Sequence, residues 1–230
     1  MTEALAVVAH YDDALIWAGG AIARSRRLGW SWTVVALCVG EVERRGVFDG
    51  WCRALDVRGI ALTFRDHPDG RAFSRNDPKS LRGAILGEIG EASFDWVFTH
   101  SPDPEGEYGF HPNHAEAAET VAALCEEGLF DARRVVRFAY RRIRGRADLP
   151  TVVAPDASWF VLLDYEELSR KAEWCRRAHA VELHDPALGG RSWLERLAWP
   201  CPNPEAFEGE GLRLPAPFIG SEATSQEESP

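Results

Sequence analysis

Lysine is nearly missing from this chain: Lys79 and Lys171 are the only two among 26 basic residues, and methionine occurs once. The arginine bias fits genome composition as well as any function and assigns none. Positive charge is also outweighed, since 36 acidic residues leave a net charge of -10 and a pI near 5.2. That disfavours a general nucleic-acid binder, which needs a basic footprint to displace counterions from phosphates. The five cysteines (Cys38, Cys52, Cys125, Cys175, Cys201) are odd in number, scattered and never in a C-x-x-C pair. They suggest neither a disulfide framework nor a thiolate zinc site, and the expectation is reduced packing residues. No apolar stretch approaches the roughly 20 residues that cross a bilayer. The first apolar run is short, lacks a basic leader and goes straight into His10-Tyr11-Asp12-Asp13, unlike a signal peptide. The expectation is a soluble, cytoplasmic protein with no membrane span.

What is present is an ordinary globular composition, 45% apolar over 230 residues, enough for one sizeable core. Short β-branched or apolar runs alternate with helix-like stretches over the first 140 residues. Strands are expected at Leu5 to Ala9, Trp32 to Cys38, Ala61 to Phe64, Trp96 to Thr99 and Val135 to Tyr140. Between them, Leu15 to Leu28, Val42 to Leu55, Lys79 to Ile89 and Asn113 to Glu127 carry apolar residues at helical spacing. One or two more strands are expected within Thr151 to Leu163, and an amphipathic helix over Tyr165 to Ala180. This pattern predicts an α/β fold, a single domain with a Rossmann-like, mostly parallel sheet and helices on both faces. The domain is expected to span residues 1–220, with 221–230 a disordered acidic tail. Arg133, Arg134, Arg137, Arg141, Arg142, Arg144 and Arg146 crowd one segment; a solvated face is the plainer reading, a contact with a substrate anion the sharper one.

Two clusters of ionisable residues fall at expected strand ends. "VVAHYDD" closes the first strand with His10, Asp12 and Asp13, and "FTHSPDPEGEYGFHPNH" follows the fourth with His100, His111 and His114. In open α/β sheets ligands bind beyond the carboxyl ends of the strands. Two histidines and one carboxylate form a common ligand set for a catalytic zinc with an open coordination position. His10 and Asp13, three apart at a strand-to-helix turn, can both face such an ion, and His114 can supply the third bond. Asp12 is then free to take a proton from zinc-activated water, while His111 or Tyr108 can donate to a developing oxyanion. Plainer roles stay open: Asp12 or Asp13 as a helix cap, His10 as a histidine at the core edge, His111 and His114 as decoration of a polar helix start, and Tyr108 as loop packing.

These residues resemble the PIG-L/LmbE family of zinc-dependent N-deacetylases. The family's A-H-P-D-D-E element is similar to Ala9-His10-Tyr11-Asp12-Asp13-Ala14, and its T-H…G-E-Y-G-H-x-x-H segment to "FTHSPDPEGEYGFHPNH". "RRGVFDGWCRALDV" and "RDHPDG" resemble its second helix and third-strand turn, so the likeness covers roughly residues 4 to 125, with a faint echo around Lys171. The resemblance implies His10, Asp13 and His114 as Zn2+ ligands, Asp12 as general base, His111 as the assisting histidine and Tyr108 as a tyrosine beside the substrate carbonyl. It also puts Arg44 or Arg45 and Asp69 at sugar-contacting positions, for which a surface ion pair or turn is a nearly equal reading. The implied partner is a small-molecule amino-sugar or glycoconjugate substrate of the N-acetylglucosamine type. Lys171 has no chemical role in this reading; a salt bridge holding the last helix is expected of it.

The chain departs from the family pattern at four places. Tyr11 replaces a proline and is expected to narrow or reshape the pocket. Ala14 replaces a glutamate, Asn113 stands where an aspartate supports the assisting histidine, and Phe110 is an extra residue before His111. These changes leave a second reading, a catalytically altered member that binds sugar or metal as a regulatory protein.

Overall fold

The structure is a computed structural model that describes residues 1–65, 78–90, 92–102, 111–141, 152–154, 157–184 and 202–209. Its elements in chain order are β1 (Glu3–His10), α1 (Asp13–Arg27), β2 (Ser31–Cys38), α2 (Val42–Ala54), β3 (Arg58–Ala61), α3 (Pro78–Ile89), β4 (Ser93–Phe94), β5 (Trp96–Thr99), α4 (Pro112–Glu126), β6 (Asp131–Ala132), β7 (Val135–Phe138), β8 (Tyr140–Arg141), β9 (Val152–Val153), β10 (Trp159–Val161), α5 (Tyr165–His184) and β11 (Glu205–Glu208). The main sheet has seven strands in the order β10-β11-β7-β5-β1-β2-β3. β7, β5, β1, β2 and β3 run parallel, and β11 and β10 add an antiparallel edge.

β1 is apolar on both faces because both are covered, as expected for a parallel strand in the middle of an α/β sheet. Ala4, Ala6 and Val8 pack with α1, α2 and α5 through Ile16, Trp17, Phe48, Trp51 and Ala178. Leu5, Val7 and Ala9 pack on the other side with α3 and α4 through Leu81, Ile85, Ala117 and Val121. The chain leaves β1 toward β2 on one side and reaches β5 on the other, so the strand order reverses between β1 and β5. That is the topological switch point, where α/β sheets open a crevice for ligands.

The expected fold class is observed, and most elements lie within two residues of their expected bounds, the third strand and the last helix departing further. The third strand is Arg58–Ala61, in register with Thr33 to Ala36, rather than Ala61 to Phe64. Its Arg-Gly start carries no strand signal, yet glycine is needed there: a Cβ on Gly59 would lie 2.7 Å from Cys52 Sγ and 2.9 Å from Phe48 Cε1, atoms of α2. The last helix runs on to His184. β11 had no counterpart in the expectation. Trp17, Trp30, Trp51 and Trp159 are all buried in the core. Within the arginine-rich segment, Arg133 pairs with Asp95 at 2.9 Å and the Arg134 guanidinium lies 4.7 Å above the Trp96 ring. Arg142, Arg144, Arg146 and the 221–230 tail lie outside the described residues.

Candidate metal centre

His10 ends β1 and Asp13 opens α1, so the intervening turn brings both to the carboxyl edge of the sheet. Asp13 does not cap the helix in the ordinary way. Its Oδ2 accepts the His10 backbone N–H at 2.7 Å and lies 3.1 Å from His10 Nδ1. Asp12 occupies the N-cap position of α1, where its carbonyl accepts the Ile16 N–H at 2.9 Å while its side chain makes no capping bond. The capping reading of either aspartate is therefore displaced by a different use: one carboxylate is turned to histidine, and the other is buried but released from the cap.

The second cluster comes from β5 and α4. His111 is the N-cap of α4, Pro112 fills the first turn, where its missing N–H costs nothing, and His114 lies on the same face one turn on. His114 Nε2 is 3.3 Å from His10 Nδ1 and 3.5 Å from Asp13 Oδ1. The three contacts among His10, Asp13 and His114 thus fall between 3.1 and 3.5 Å. Tetrahedral zinc with bonds of about 2.0–2.1 Å separates its ligand atoms by about 3.3 Å; the donor types suit the ion and the distances are close to that spacing, with Asp13 facing His10 through Oδ2 and His114 through Oδ1.

His100 completes the arrangement. It is fully buried, its Nε2 accepts the Ala9 N–H at 3.0 Å, and the same nitrogen is 3.3 Å from Asp13 Oδ2. Its ring stacks on His114 at 3.9 Å, and His114 stacks on His111 at 4.5 Å, while His10 meets His111 edge-on at 4.8 Å. Ligand atoms of His10, His111 and His114, and of Asp13, His100 and His114, lie within 4.8 Å of one another. Burial alone would push the Asp13 carboxyl up. The charges of His114, His100 and His10 and the His10 hydrogen bond outweigh it and hold that carboxyl well below the usual carboxylate range. The N-terminus of α4 adds positive potential on the same side.

The remaining expected residues divide. The Arg44 guanidinium lies 5.9 Å from the Tyr11 ring, beside the β1–α1 turn. Arg45 is exposed, and its Nε bonds both carboxylate oxygens of Asp49 on its own helix, at 3.0 and 2.9 Å. Tyr108, Asp69 and Phe110 lie outside the described residues. Tyr11, expected to narrow or reshape the pocket, is buried, and its hydroxyl donates to the Ala178 carbonyl of α5 at 3.1 Å. Lys171 forms the expected salt bridge, with Glu205 of β11 at 2.7 Å. The sequence gave no sign of Glu205 as its partner, since β11 is a short strand among prolines with no periodic pattern.

A family model described as PIG-L, GlcNAc-PI de-N-acetylase, matches residues 5–125, more than half of the chain. No curated protein matches the sequence. Among solved structures, the deacetylase of teicoplanin biosynthesis in complex with teicoplanin aligns with a TM-score of 0.59 and 17% identity, over 90% of this chain and 98% of that one. The N,N'-diacetylchitobiose deacetylase from Pyrococcus horikoshii aligns with a TM-score of 0.61 and 15% identity, over 90% and 83%. The 4-carboxy-2-hydroxymuconate hydratase from Pseudomonas putida KT2440 aligns with a TM-score of 0.54 and 19% identity, over 94% and 98%. At these identities the likeness shows the shared fold.

Proposed function

The chain belongs to the PIG-L family, and on that premise we propose that it is a zinc-dependent hydrolase that removes an N-acetyl, or similar N-acyl, group from an amino-sugar-type substrate. The observation that carries the proposal is the meeting of His10, Asp13 and His114 within 3.5 Å at the switch point of the sheet. His10, Asp13 and His114 hold the metal. Bound there, zinc supplies Lewis acidity, acidifying water and polarising the acyl oxygen.

Asp12, buried at the N-terminus of α1, takes the proton from the attacking water as its oxygen bonds the acyl carbon. The same carboxyl then returns that proton to the nitrogen as the C–N bond breaks, leaving acetic acid and the free amine, which ionise to acetate and ammonium. His111, one turn before His114, donates a hydrogen bond to the oxyanion, a contribution of about 2.7–4 kcal/mol in measured cases. Tyr108 is assigned the same side of the acyl group. Arg44 or Arg45 and Asp69 keep their places in the proposal as sugar-contacting residues.

The test is acetate release from N-acetylglucosaminyl compounds by the zinc-loaded wild type and by Asp12→Asn. The expected result is a fall in kcat of about 10²–10⁴-fold with zinc content and fold retained. Equal turnover by the two proteins would overturn Asp12 as the base. A wild type that binds such compounds without turnover would favour the regulatory reading. The hydratase with this fold supports one other chemistry, addition of water to an unsaturated carboxylic acid, which turnover of such an acid in place of the acetamido sugars would reveal.

A further inference from the structure

Tyr11 sits between the ligand His10 and the carboxylate of Asp12, and its two ends are tied to different helices. Its hydroxyl donates to the Ala178 carbonyl in α5 at 3.1 Å, and its own carbonyl accepts the indole N–H of Trp51 in α2 at 3.0 Å. Tyr11 and Trp51 are both almost fully buried. The two anchoring helices are themselves interlocked: a Cβ on Gly50 of α2 would stand 2.8 Å from Trp174 of α5, so the indole occupies the space that glycine leaves. The Arg44 guanidinium beside the ring closes the remaining side.

The same turn is also held by the Asp12 carbonyl, which accepts the Ile16 N–H at 2.9 Å, and by the Asp13 carboxylate, which accepts the His10 N–H at 2.7 Å. Asp12 lends no side-chain cap to α1, and Asp13 spends its carboxylate on His10 and the neighbouring histidines. The two ends of the turn are His10 and Asp13, so its backbone conformation sets where those two side chains stand relative to one another. Ligands are kept within a few tenths of an ångström of productive geometry by surrounding packing and hydrogen bonds.

We infer that Tyr11 is a positioning residue: bonded to α5 through its side chain and to α2 through its carbonyl, it fixes the His10 to Asp13 turn so that the metal ligands and Asp12 are set before an ion or substrate arrives. This rests on the metal reading proposed above. The platform also makes α5 part of the site without contributing a group to it. A displacement of α5 along its axis moves the Tyr11 hydroxyl and, through it, the turn.

The test uses the full chain and three variants. Tyr11→Phe deletes only the hydroxyl, and Ala178 keeps its place in the helix. Trp51→Phe deletes the indole donor. Trp32→Phe is the control, because its indole N–H donates to Ser25 Oγ at 2.8 Å, a buried bond of the same kind on the far end of α1. Zinc affinity is read by chelator competition, and amide exchange over residues 10–14 is read on the metal-free protein. Tyr11→Phe and Trp51→Phe should each weaken zinc binding about 10-fold, the lower end of the effect of losing a supporting contact, and should speed exchange in that turn. Trp32→Phe should do neither. Tyr11→Phe should also lower kcat while leaving KM within about twofold, as expected when a group acts on the chemistry alone. Wild-type zinc affinity together with wild-type exchange in Tyr11→Phe, or equal losses in the control, would overturn the inference. Absence of zinc uptake by the wild type would overturn the metal reading instead, and the exchange arm would then decide the role of Tyr11 by itself.

Discussion

Replacing Lys171 by Met should destabilise the fold by several kcal/mol, by an amount that depends on pH in a fixed direction. Lys171 and Glu205 are 2% and 0% exposed at their side chains and meet at 2.7 Å. Glu205 also accepts the backbone N–H groups of Gly20 and Ala21, each at 2.7 Å, so the carboxylate is driven into the middle of α1. The ammonium has a second acceptor in the Pro202 carbonyl at 3.0 Å. Methionine keeps the apolar stem and removes the charge, leaving a buried carboxylate held only by two backbone donors. Breaking a buried pair by removing one partner costs about 3–5 kcal/mol. The two retained donors offset part of this, which leaves about 2–4 kcal/mol. At roughly 2–4 °C per kcal/mol for a chain of this size, Tm should fall by about 5–15 °C. Burial pushes the Glu205 carboxyl up from its ordinary value, against Lys171 and the two N–H groups. Without the ammonium it rises further. A carboxyl raised in the fold binds its proton more tightly folded than unfolded, so the penalty is absent below the unfolded value and grows as pH rises toward the folded one. Urea unfolding at pH 8 and at pH 5 should therefore show the deficit of the variant shrinking in acid. A deficit under about 1 kcal/mol at pH 8, or one that grows on acidification, would refute the reasoning.

Gly20→Ala should destabilise by up to about 2 kcal/mol in thermal unfolding, since the new Cβ would stand 2.1 Å from Leu163 Cδ2; overpacking of about 1–3 kcal/mol is offset by a gain in helix propensity of about 1 kcal/mol. His100→Ala should lower both stability and zinc affinity, because the buried Ala9 N–H loses its acceptor, at about 1–3 kcal/mol, and Asp13 loses a neighbour; zinc titration and unfolding should move together. Glu167→Gln should lower Tm at neutral pH. Burial would push the Glu167 carboxyl up, but its bonds to Arg24 and Arg27 and the Asp164 N–H bring it below the ordinary value. A carboxyl depressed in the fold stabilises above its unfolded value and loses that contribution as pH falls through the folded one, so the gap between wild type and variant should be full at pH 6 and close in stronger acid.

The residues of the candidate site were legible in the sequence because their positions are set by local rules. His10 and Asp13 follow a strand and open a helix, and His111 and His114 start another, so strand ends and helix starts alone bring them to one edge of the sheet. His100, next to β1 across the switch point, stood out less, because a histidine directly after a strand says nothing about which neighbour it meets. The partner of Tyr11 was hidden for the same reason: only the packing of α5 against α1 and α2 shows its hydroxyl reaching a residue 167 positions later. Glu205 is the extreme case. Its strand is four residues long, its partners lie on α1 and α5, and no periodicity marks a carboxylate that works by replacing bonds inside a helix. The third strand was misplaced because Gly59, which admits Cys52 and Phe48 against the sheet, reads locally as a turn residue.

The most direct test of the central claim is anomalous diffraction at the zinc edge from crystals of the full chain grown with zinc. The account predicts a peak bonded to His10, Asp13 and His114, with Asp12 left off the ion. A peak bonded to other residues, or none at that edge of the sheet in crystals that hold zinc elsewhere, would contradict it.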